Sequence, residues 1–217
     1  MEAARIEWPT QVEMRVFANL ISEYQPILSN KCLFLDGTTI QVQRFTNSWK
    51  QREYYSGKAK VTCVNNILVF APDGCIVFAR LNCPGSQHDV RAMGELRDIL
   101  LNDEEFPRPF GVQADSAFPH VGFFRGRVET PLKSNELARI PEELRAAARR
   151  YRTQLSGVRV AVEWGMAGIK NVWGQLQKLL PYDDVFRANI LLCVVYMHNF
   201  RVRTVELSQI RSTFLPN

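Results

Sequence analysis

The sequence predicts a mixed α/β fold in which helices cover both faces of one sheet. Three strand-like segments come first, and the turn residues Pro72–Gly74 join the second to the third. A helical segment, two short strand-like segments and a helical last third follow. Sequential strands favour an antiparallel meander, whereas a strand that returns after a helix can pair in parallel with the first strand.

The strand predictions rest on apolar runs that are bounded by turn residues. Four runs are clear, at residues 31–42 (KCLFLDGTTIQV), 59–71 (AKVTCVNNILVFA), 75–83 (CIVFARLNC) and 110–116 (FGVQADS). A further short strand is expected at residues 128–133 (VETPLK). The order, with three antiparallel strands followed by parallel strands, fits an RNase H-like sheet.

The helix predictions rest on apolar residues that recur at helical spacing. Such spacing covers residues 10–25, a segment that ends near residue 101, and the three ranges 141–152, 158–178 and 184–202. Ser86 and Asp89 have the spacing of a capping box at the start of the second helix.

Cysteine usage and hydropathy exclude several classes of protein. The five cysteines show no CxxC spacing, so we expect buried free thiols rather than zinc ligands or disulfides. The longest apolar run, at residues 190–197, is far shorter than the roughly 20 residues that span a bilayer. No N-terminal stretch has the form of a signal peptide. We therefore expect a soluble protein with no membrane partner.

The positive charge is concentrated in one part of the chain. The net charge is +5, and the segment from Lys133 to Lys178 carries nine basic and four acidic residues. This excess indicates either a solvated helical face or a surface that meets a polyanion.

A second basic segment, residues 44–60, combines five bases with aromatic side chains. The bases could neutralise phosphates while the aromatic rings stack on unpaired bases of DNA. Alternatively, the segment is a long loop or edge strand whose rings pack on the domain. The aromatic residues are Phe45, Trp49, Tyr54 and Tyr55.

Two aspartates follow apolar runs in the predicted central strands. Asp36 ends the run Cys32–Leu35, and Asp115 ends the run GVQA. Strand ends in α/β sheets are where sites form, and aspartate is disfavoured within strands. Neighbouring carboxylates repel each other unless a proton or a cation lies between them, and Mg²⁺ prefers such oxygen ligands.

A third carboxylate, Glu163, lies at the edge of the apolar face of a predicted helix. At 100° per residue it falls about 100° from the centre of that face, on the same flank as Arg159 and Lys170. Taken alone, Glu163 is better explained by an ion pair with Arg159 at i, i+4. Together with Asp36 and Asp115 it would complete a two-metal site. The apolar face comprises Val158, Val162, Ile169, Trp173 and Leu176.

Five short motifs resemble, in their order and context, those of DDE transposases of the PIF/Harbinger type. They are FLDGT, PGSQHD, ADSAFP, VEWGMAGIK and CVVYMHNF, and they span roughly residues 30–202. We therefore expect an N-terminal helical extension over residues 1–30, a DDE endonuclease domain over residues 31–204 and a C-terminal tail over residues 205–217.

The resemblance implies an RNase H-like fold and a nuclease that cuts DNA at transposon ends. It places the family's first Asp on Asp36, the second on Asp115 and the Glu on Glu163, with separations of 79 and 48 residues. These three residues would be the catalytic residues and would bind two Mg²⁺ or Mn²⁺ ions. The chain departs from the family's pattern at Phe118, where tyrosine is common, and in the residues that follow Glu163.

The resemblance also sets expectations about partners. Such transposases usually carry a helix-turn-helix region before the catalytic domain, whereas about 30 residues precede the first strand here. We therefore expect DNA as a partner, a separate helix-turn-helix or Myb-like DNA-binding protein, a homo-oligomer and a nuclear location. The open alternative is a catalytically inactive, domesticated or truncated module that binds DNA or protein.

The remaining polar candidates have structural explanations. Asp89 belongs to a family motif, but its capping-box position accounts for it. The three histidines show no paired spacing with one another or with cysteine, so we expect hydrogen-bonded structural groups rather than metal ligands. These are His88, His120 and His198.

Overall fold

A computed structural model describes residues 2–87 and 89–215, with the side chains of residues 89, 90, 158, 159, 161 and 164 outside the description. Within these residues, six strands form one mixed sheet. The strands are β1 (Lys31–Gln41), β2 (Tyr55–Ser56), β3 (Val61–Phe70), β4 (Ile76–Pro84), β5 (Gly111–Ala114) and β6 (Val128–Glu129).

The sheet combines an antiparallel half with a parallel half. β3 pairs antiparallel with β1 on one side and with β4 on the other, and β2 pairs with the beginning of β3. β5 pairs in parallel with β1, and β6 in parallel with β5. The spatial order is therefore β4–β3–β1–β5–β6, which confirms the predicted mixed α/β fold with an RNase H-like sheet.

Eight α-helices accompany the sheet within the described residues. They are α1 (Gln11–Tyr24), α2 (Ser48–Tyr54), α3 (Asp89–Ala92), α4 (Glu95–Leu101), α5 (Ser134–Ala138), α6 (Glu142–Val172), α7 (Asp184–Val205) and α8 (Gln209–Phe214). No helix in this part of the chain combines the length and apolar character that a membrane crossing requires.

Two helix predictions were wrong in detail. The single helix expected to end near residue 101 is divided into α3 and α4 at Gly94, whose φ of +49° is not helical. The two helices expected at 141–152 and 158–178 are one helix, α6, which ends at Val172. A mid-helix glycine such as Gly157 costs only about 1 kcal/mol, which the burial of Leu155 and Val162 on either side outweighs.

The alternation of β1 residues builds a separate core on each face of the sheet. Phe34 packs in a cluster with residues of α6, α7 and α8. Leu33 and Leu35 point the other way, into a cluster with residues of α1 and α4. Helices therefore cover both faces, as predicted, because successive side chains of a strand face opposite sides.

The flanking segments pack on the same two cores. Met14 and Ala18 of α1 are buried in the second cluster. The ring of Phe214 in α8 stacks on Phe34 with centroids 5.1 Å apart. The division into residues 1–30, 31–204 and 205–217 stays a prediction.

The contact between α8 and α6 is close. A Cβ atom added at Gly165 of α6 would lie 2.5 Å from Cδ1 of Ile210 in α8, which is closer than carbon atoms approach without a shift. A side chain at position 165 would therefore require the Ile210 side chain or α8 to shift.

All five cysteines are free thiols, as predicted. Four of them are buried, and burial raises the pKa of Cys32 to about 12. The expectation of burial was wrong for Cys193, which is exposed on α7.

A buried arginine joins α2, α7 and the end of β4. Arg187 is fully buried, and its guanidinium donates to Asn82 Oδ1 (2.6 Å), Asp184 Oδ1 (2.6 Å) and the carbonyl oxygen of Pro181 (2.8 Å). Lys50 of α2 donates to the other oxygen of Asp184 at 2.9 Å. Burial raises the pKa of Asp184, but the hydrogen bonds from Lys50 and Arg187 outweigh it and hold the pKa below its ordinary value.

We expect Arg187→Ala to lower the free energy of unfolding by about 3–5 kcal/mol, because it leaves Asp184 and the carbonyl groups without their buried partner. Lys50→Ala, which removes an exposed partner of the same carboxylate, should leave the unfolding midpoint near that of wild type. Urea denaturation of both variants measures the difference. Equal effects would contradict a dominant role for Arg187.

Candidate active site

Asp36 lies inside a strand rather than at its carboxyl end, which corrects the sequence prediction. It is the sixth residue of β1, and pairing with β3 continues past it to Gln41. Pairing with β5, in contrast, ends at Leu35, opposite Ala114. β5 therefore stops pairing with β1 one residue before Asp36. The carboxylate of Asp36 is half-buried beside the end of β5.

Asp115 follows the last residue of β5 directly. Since Leu35 and Ala114 are register partners, Asp36 and Asp115 are the next residues along two adjacent parallel strands. Both line one small pocket, and both are half-buried. The prediction that the first strand lies beside the strand before Asp115 is confirmed.

A backbone N–H group orients each carboxylate. Gly37 N–H donates to Oδ1 of Asp36 at 2.8 Å, and Ser116 N–H donates to Oδ1 of Asp115 at 2.6 Å. Each bond comes from the next residue in the chain and limits the rotation of the carboxylate. The two acids therefore combine strand positions with local hydrogen bonds.

Gln113 is a third polar group in this pocket, and the sequence did not point to it. Its side chain is 3% exposed, and its Nε2 donates to the carbonyl oxygen of Leu155 in α6 at 2.6 Å. Its Oε1 is buried and has no hydrogen-bond partner among the described residues. Its one signal is a glutamine within the otherwise apolar strand GVQA.

Helix α6 forms one wall of the pocket. Val162 lines it together with Asp36 and Asp115. Further along the helix, Lys170 Nζ donates to the carbonyl oxygen of Thr39 in β1 at 3.4 Å. Burial lowers the pKa of Lys170, and the nearby charge of Asp36 partly offsets this effect.

Glu163 is the residue after Val162, and its side chain is exposed. Seven residues separate it from Lys170, which places the two within about 20° on the helix. Glu163 is therefore on the flank of α6 that reaches the second half of β1. The side chain of Arg159, which we predicted on the same flank, lies outside the described residues.

A metal site with three protein ligands is not formed in the part of the chain that the structure describes. No group of three or more His, Cys, Asp or Glu side chains there is arranged to hold an ion. Ligation by Asp36, Asp115 and Glu163 therefore stays a prediction. The donor set fits a hard cation, because Asp36, Asp115 and Gln113 line one pocket, and carboxylate and amide oxygens are the ligands that such a cation prefers.

The described histidines make structural contacts. His198 is buried, and its Nε2 lies 3.0 Å from the carbonyl oxygen of Gly74, which identifies Nε2 as the protonated nitrogen. His120 Nε2 lies 3.5 Å from Glu136. His88 and the side chain of Asp89 lie outside the described residues.

The aromatic residues of segment 44–60 divide between the two open interpretations. Phe45 and Tyr54 are buried and stack with centroids 4.7 Å apart, so they pack on the domain. Trp49 is 76% exposed, with the guanidinium of Arg52 5.4 Å from its ring, and Tyr55 is 44% exposed. Only the second pair has rings open to a ligand.

The comparisons with known proteins give one match. A family model described as "DDE superfamily endonuclease" matches residues 35–199, which is more than half of the chain. The matched range begins one residue before Asp36 and includes Asp115 and Glu163. Searches of curated proteins and of solved structures return no match.

We expect Mn²⁺ to raise the thermal unfolding midpoint of the wild-type protein, because an ion that binds the folded state alone stabilises it by about 2.7 kcal/mol at 100 times its dissociation constant. Asp36→Asn should abolish this gain. Asp98→Asn, which changes an exposed acid of α4, should keep it. A gain of equal size in all three proteins would mean that Mn²⁺ binds elsewhere.

Proposed function

This chain belongs to the DDE superfamily endonuclease family, and we propose that it cuts phosphodiester bonds of DNA at a site built from Asp36, Asp115 and Glu163. One observation carries the proposal: Asp36 and Asp115 line one pocket on adjacent parallel strands. The pocket lies in the range that matches the family. Glu163 is included in the proposed site because Val162, the residue before it on α6, lines the same pocket.

We further propose that the three carboxylates hold two divalent ions, Mg²⁺ or Mn²⁺. When bound, such a pair supplies positive charge at the attacking and leaving oxygens of a displacement at phosphorus. The buried Oε1 of Gln113 supports the proposal, since a hydrogen-bond acceptor without a partner among the described residues is costly unless a cation or a donor meets it.

The residues of the proposed site would differ in how rigidly they are held and therefore in their roles. Asp36 lies on β1 and Asp115 directly follows β5, and each accepts a hydrogen bond from a backbone N–H group, so their oxygens are oriented before the substrate arrives. Glu163 is on a helix and is exposed, so it can adjust as DNA enters. Lys170 brings an ammonium group near Asp36, where it can stabilise charge on the scissile phosphate.

A row of arginines on α6 supplies a path for the DNA backbone. Arg145, Arg149 and Arg152 line one surface groove. At 100° per residue they fall within about 40° of the line of Glu163, and Arg152 lies about 17 Å before it along the helix. A phosphate backbone that follows this row is therefore led toward Glu163 and the acid pair.

The finer assignments rest on the five sequence motifs. We propose that the protein is of the PIF/Harbinger type, that it cuts at transposon ends and that it works in the nucleus. We also propose that a separate helix-turn-helix or Myb-like protein brings it to its target. The alternative of an inactive module stays open to the activity test that follows.

We expect the wild-type protein with Mg²⁺ or Mn²⁺ to nick DNA, and Asp36→Asn or Asp115→Asn to lower the rate at least about 10³-fold, a loss of about 4 kcal/mol of transition-state stabilisation. Glu163→Gln should lower it nearly as much. His120→Ala should keep measurable activity, because no histidine is assigned to the chemistry.

The nicking assay should include a DNA-binding partner protein, so that failure to find DNA is not mistaken for failure to cut. Circular dichroism of each variant confirms that it is folded. Folded, DNA-bound wild-type protein that never nicks with either ion would support the inactive module instead.

We expect the double variant Arg149→Glu, Arg152→Glu to bind DNA more weakly and to reduce the slope of log affinity against log salt by about 2, because about two phosphate contacts are lost. Arg150→Glu is a matched control, since this exposed arginine lies about 140° from Glu163 on the same helix. Fluorescence anisotropy over a salt series measures both. Equal losses of DNA affinity in the double variant and in Arg150→Glu would contradict the proposed path of the DNA backbone along Arg145, Arg149 and Arg152.

A further inference from the structure

Helix α7 carries apolar residues on both its inward and its outward side, and in the part of the chain that the structure describes the outward side stays exposed. The inward side is buried against β4 and the core on that face of the sheet. A helix that is apolar all round normally has partners all round. The buried residues include Leu191, Val194, Val195 and Val202.

The outward side of α7 forms a continuous apolar stripe, defined by Val185, Phe186, Leu192, Cys193, Tyr196, Met197 and Phe200. At 100° per residue, these residues and Asn189 fall within an arc of about 140°. The exposed positions of α7 from residue 185 to residue 200 carry no charge, and Asn189 is the polar residue among them. Surfaces that meet only water rarely lack charge over four helical turns.

We propose that this stripe binds the same stripe of a second copy of the chain, with the two α7 helices antiparallel about a twofold axis near Cys193. The proposal is independent of the nuclease activity. It concerns α7 alone, and no residue of the stripe is assigned to the cutting site.

The order of residues in the stripe favours a second copy over an unrelated partner. Phe186 and Phe200 lie seven residues before and after Cys193. In an antiparallel pair centred on Cys193, Phe186 of each copy therefore meets Phe200 of the other. Aromatic pairs of this kind contribute stabilisation beyond that of area burial.

The polar groups on the outward side of α7 are also self-complementary. Asn189 lies four residues before Cys193 and Tyr196 lies three residues after it. The same antiparallel arrangement brings the amide of one copy near the phenol hydroxyl of the other, twice. An amide and a phenol can each donate and accept, so both find partners on burial.

The exposed area is sufficient for a specific dimer. Phe186, Tyr196 and Phe200 are 58%, 39% and 53% exposed. With aromatic side chains of about 200 Å² each, these three expose roughly 300 Å². The four other stripe residues bring this to about 500 Å² per copy, so two copies bury about 1,000 Å², the lower limit of a specific interface.

The test uses sedimentation velocity over a concentration series on the full chain. We expect a wild-type dimer, and Phe200→Glu should raise its dissociation constant at least about 100-fold by placing a charge against an aromatic ring. The control is Val16→Glu, an equally exposed apolar residue (51%) on α1, which should stay dimeric. Circular dichroism confirms that each variant is folded.

Two further measurements are specific to the antiparallel geometry. The double variant Phe186→Lys, Phe200→Glu should regain the dimer, because each lysine would meet a glutamate of the other copy. A short bis-maleimide should link two wild-type chains through Cys193, the exposed cysteine, and Cys193→Ser should abolish the product.

A wild-type protein that stays monomeric well above micromolar concentration would overturn the proposal, even if another protein binds the stripe. So would a dimer that Phe200→Glu leaves intact. A dimer that the double variant does not restore, and that Cys193 does not link, would exclude the antiparallel arrangement.

Discussion

The candidate site depends on the register of the parallel pairing between β1 and β5. Leu35 faces Ala114 in this pairing and Phe34 faces Gln113, after a register shift between Lys31 and Leu33. Because side chains alternate along a strand, the register sends Phe34 toward α6, while Gln113 reaches Leu155 of the same helix. A shift of one residue would exchange the two faces of β1 and separate Asp36 from Asp115 along the sheet.

The sequence was sufficient to predict that the two aspartates are neighbours. Each stands directly after an apolar run, and the order of strands and helices left few ways to arrange the sheet. The sequence was insufficient for features that depend on packing. Helix α6 continues through Gly157 because Leu155 and Val162, on either side of the glycine, are buried. Gln113 is buried because it contacts the same helix, about 40 residues later in the chain.

The segment 44–60 shows the same limit. Its composition is that of a nucleic-acid-binding surface and equally that of a packed loop, and the two interpretations predict the same residue types. What separates them is Arg187, about 140 residues away, whose guanidinium lies 5.8 Å from the Phe45 ring and 5.1 Å from the Tyr54 ring. These two rings are buried in the core and face a buried cation, whereas Trp49 of α2 is exposed.

The close contact of Ile210 with Gly165 has a consequence for the opposite side of α6. Gly165 lies about 160° around the helix from Glu163, so α8 supports α6 from behind at the level of the proposed ligand. The branched side chain of Ile210 therefore limits how closely α8 can approach the side of α6 that faces away from Glu163. A residue near the far end of the chain, outside the candidate pocket, thus contributes to the position of the helix that carries Glu163.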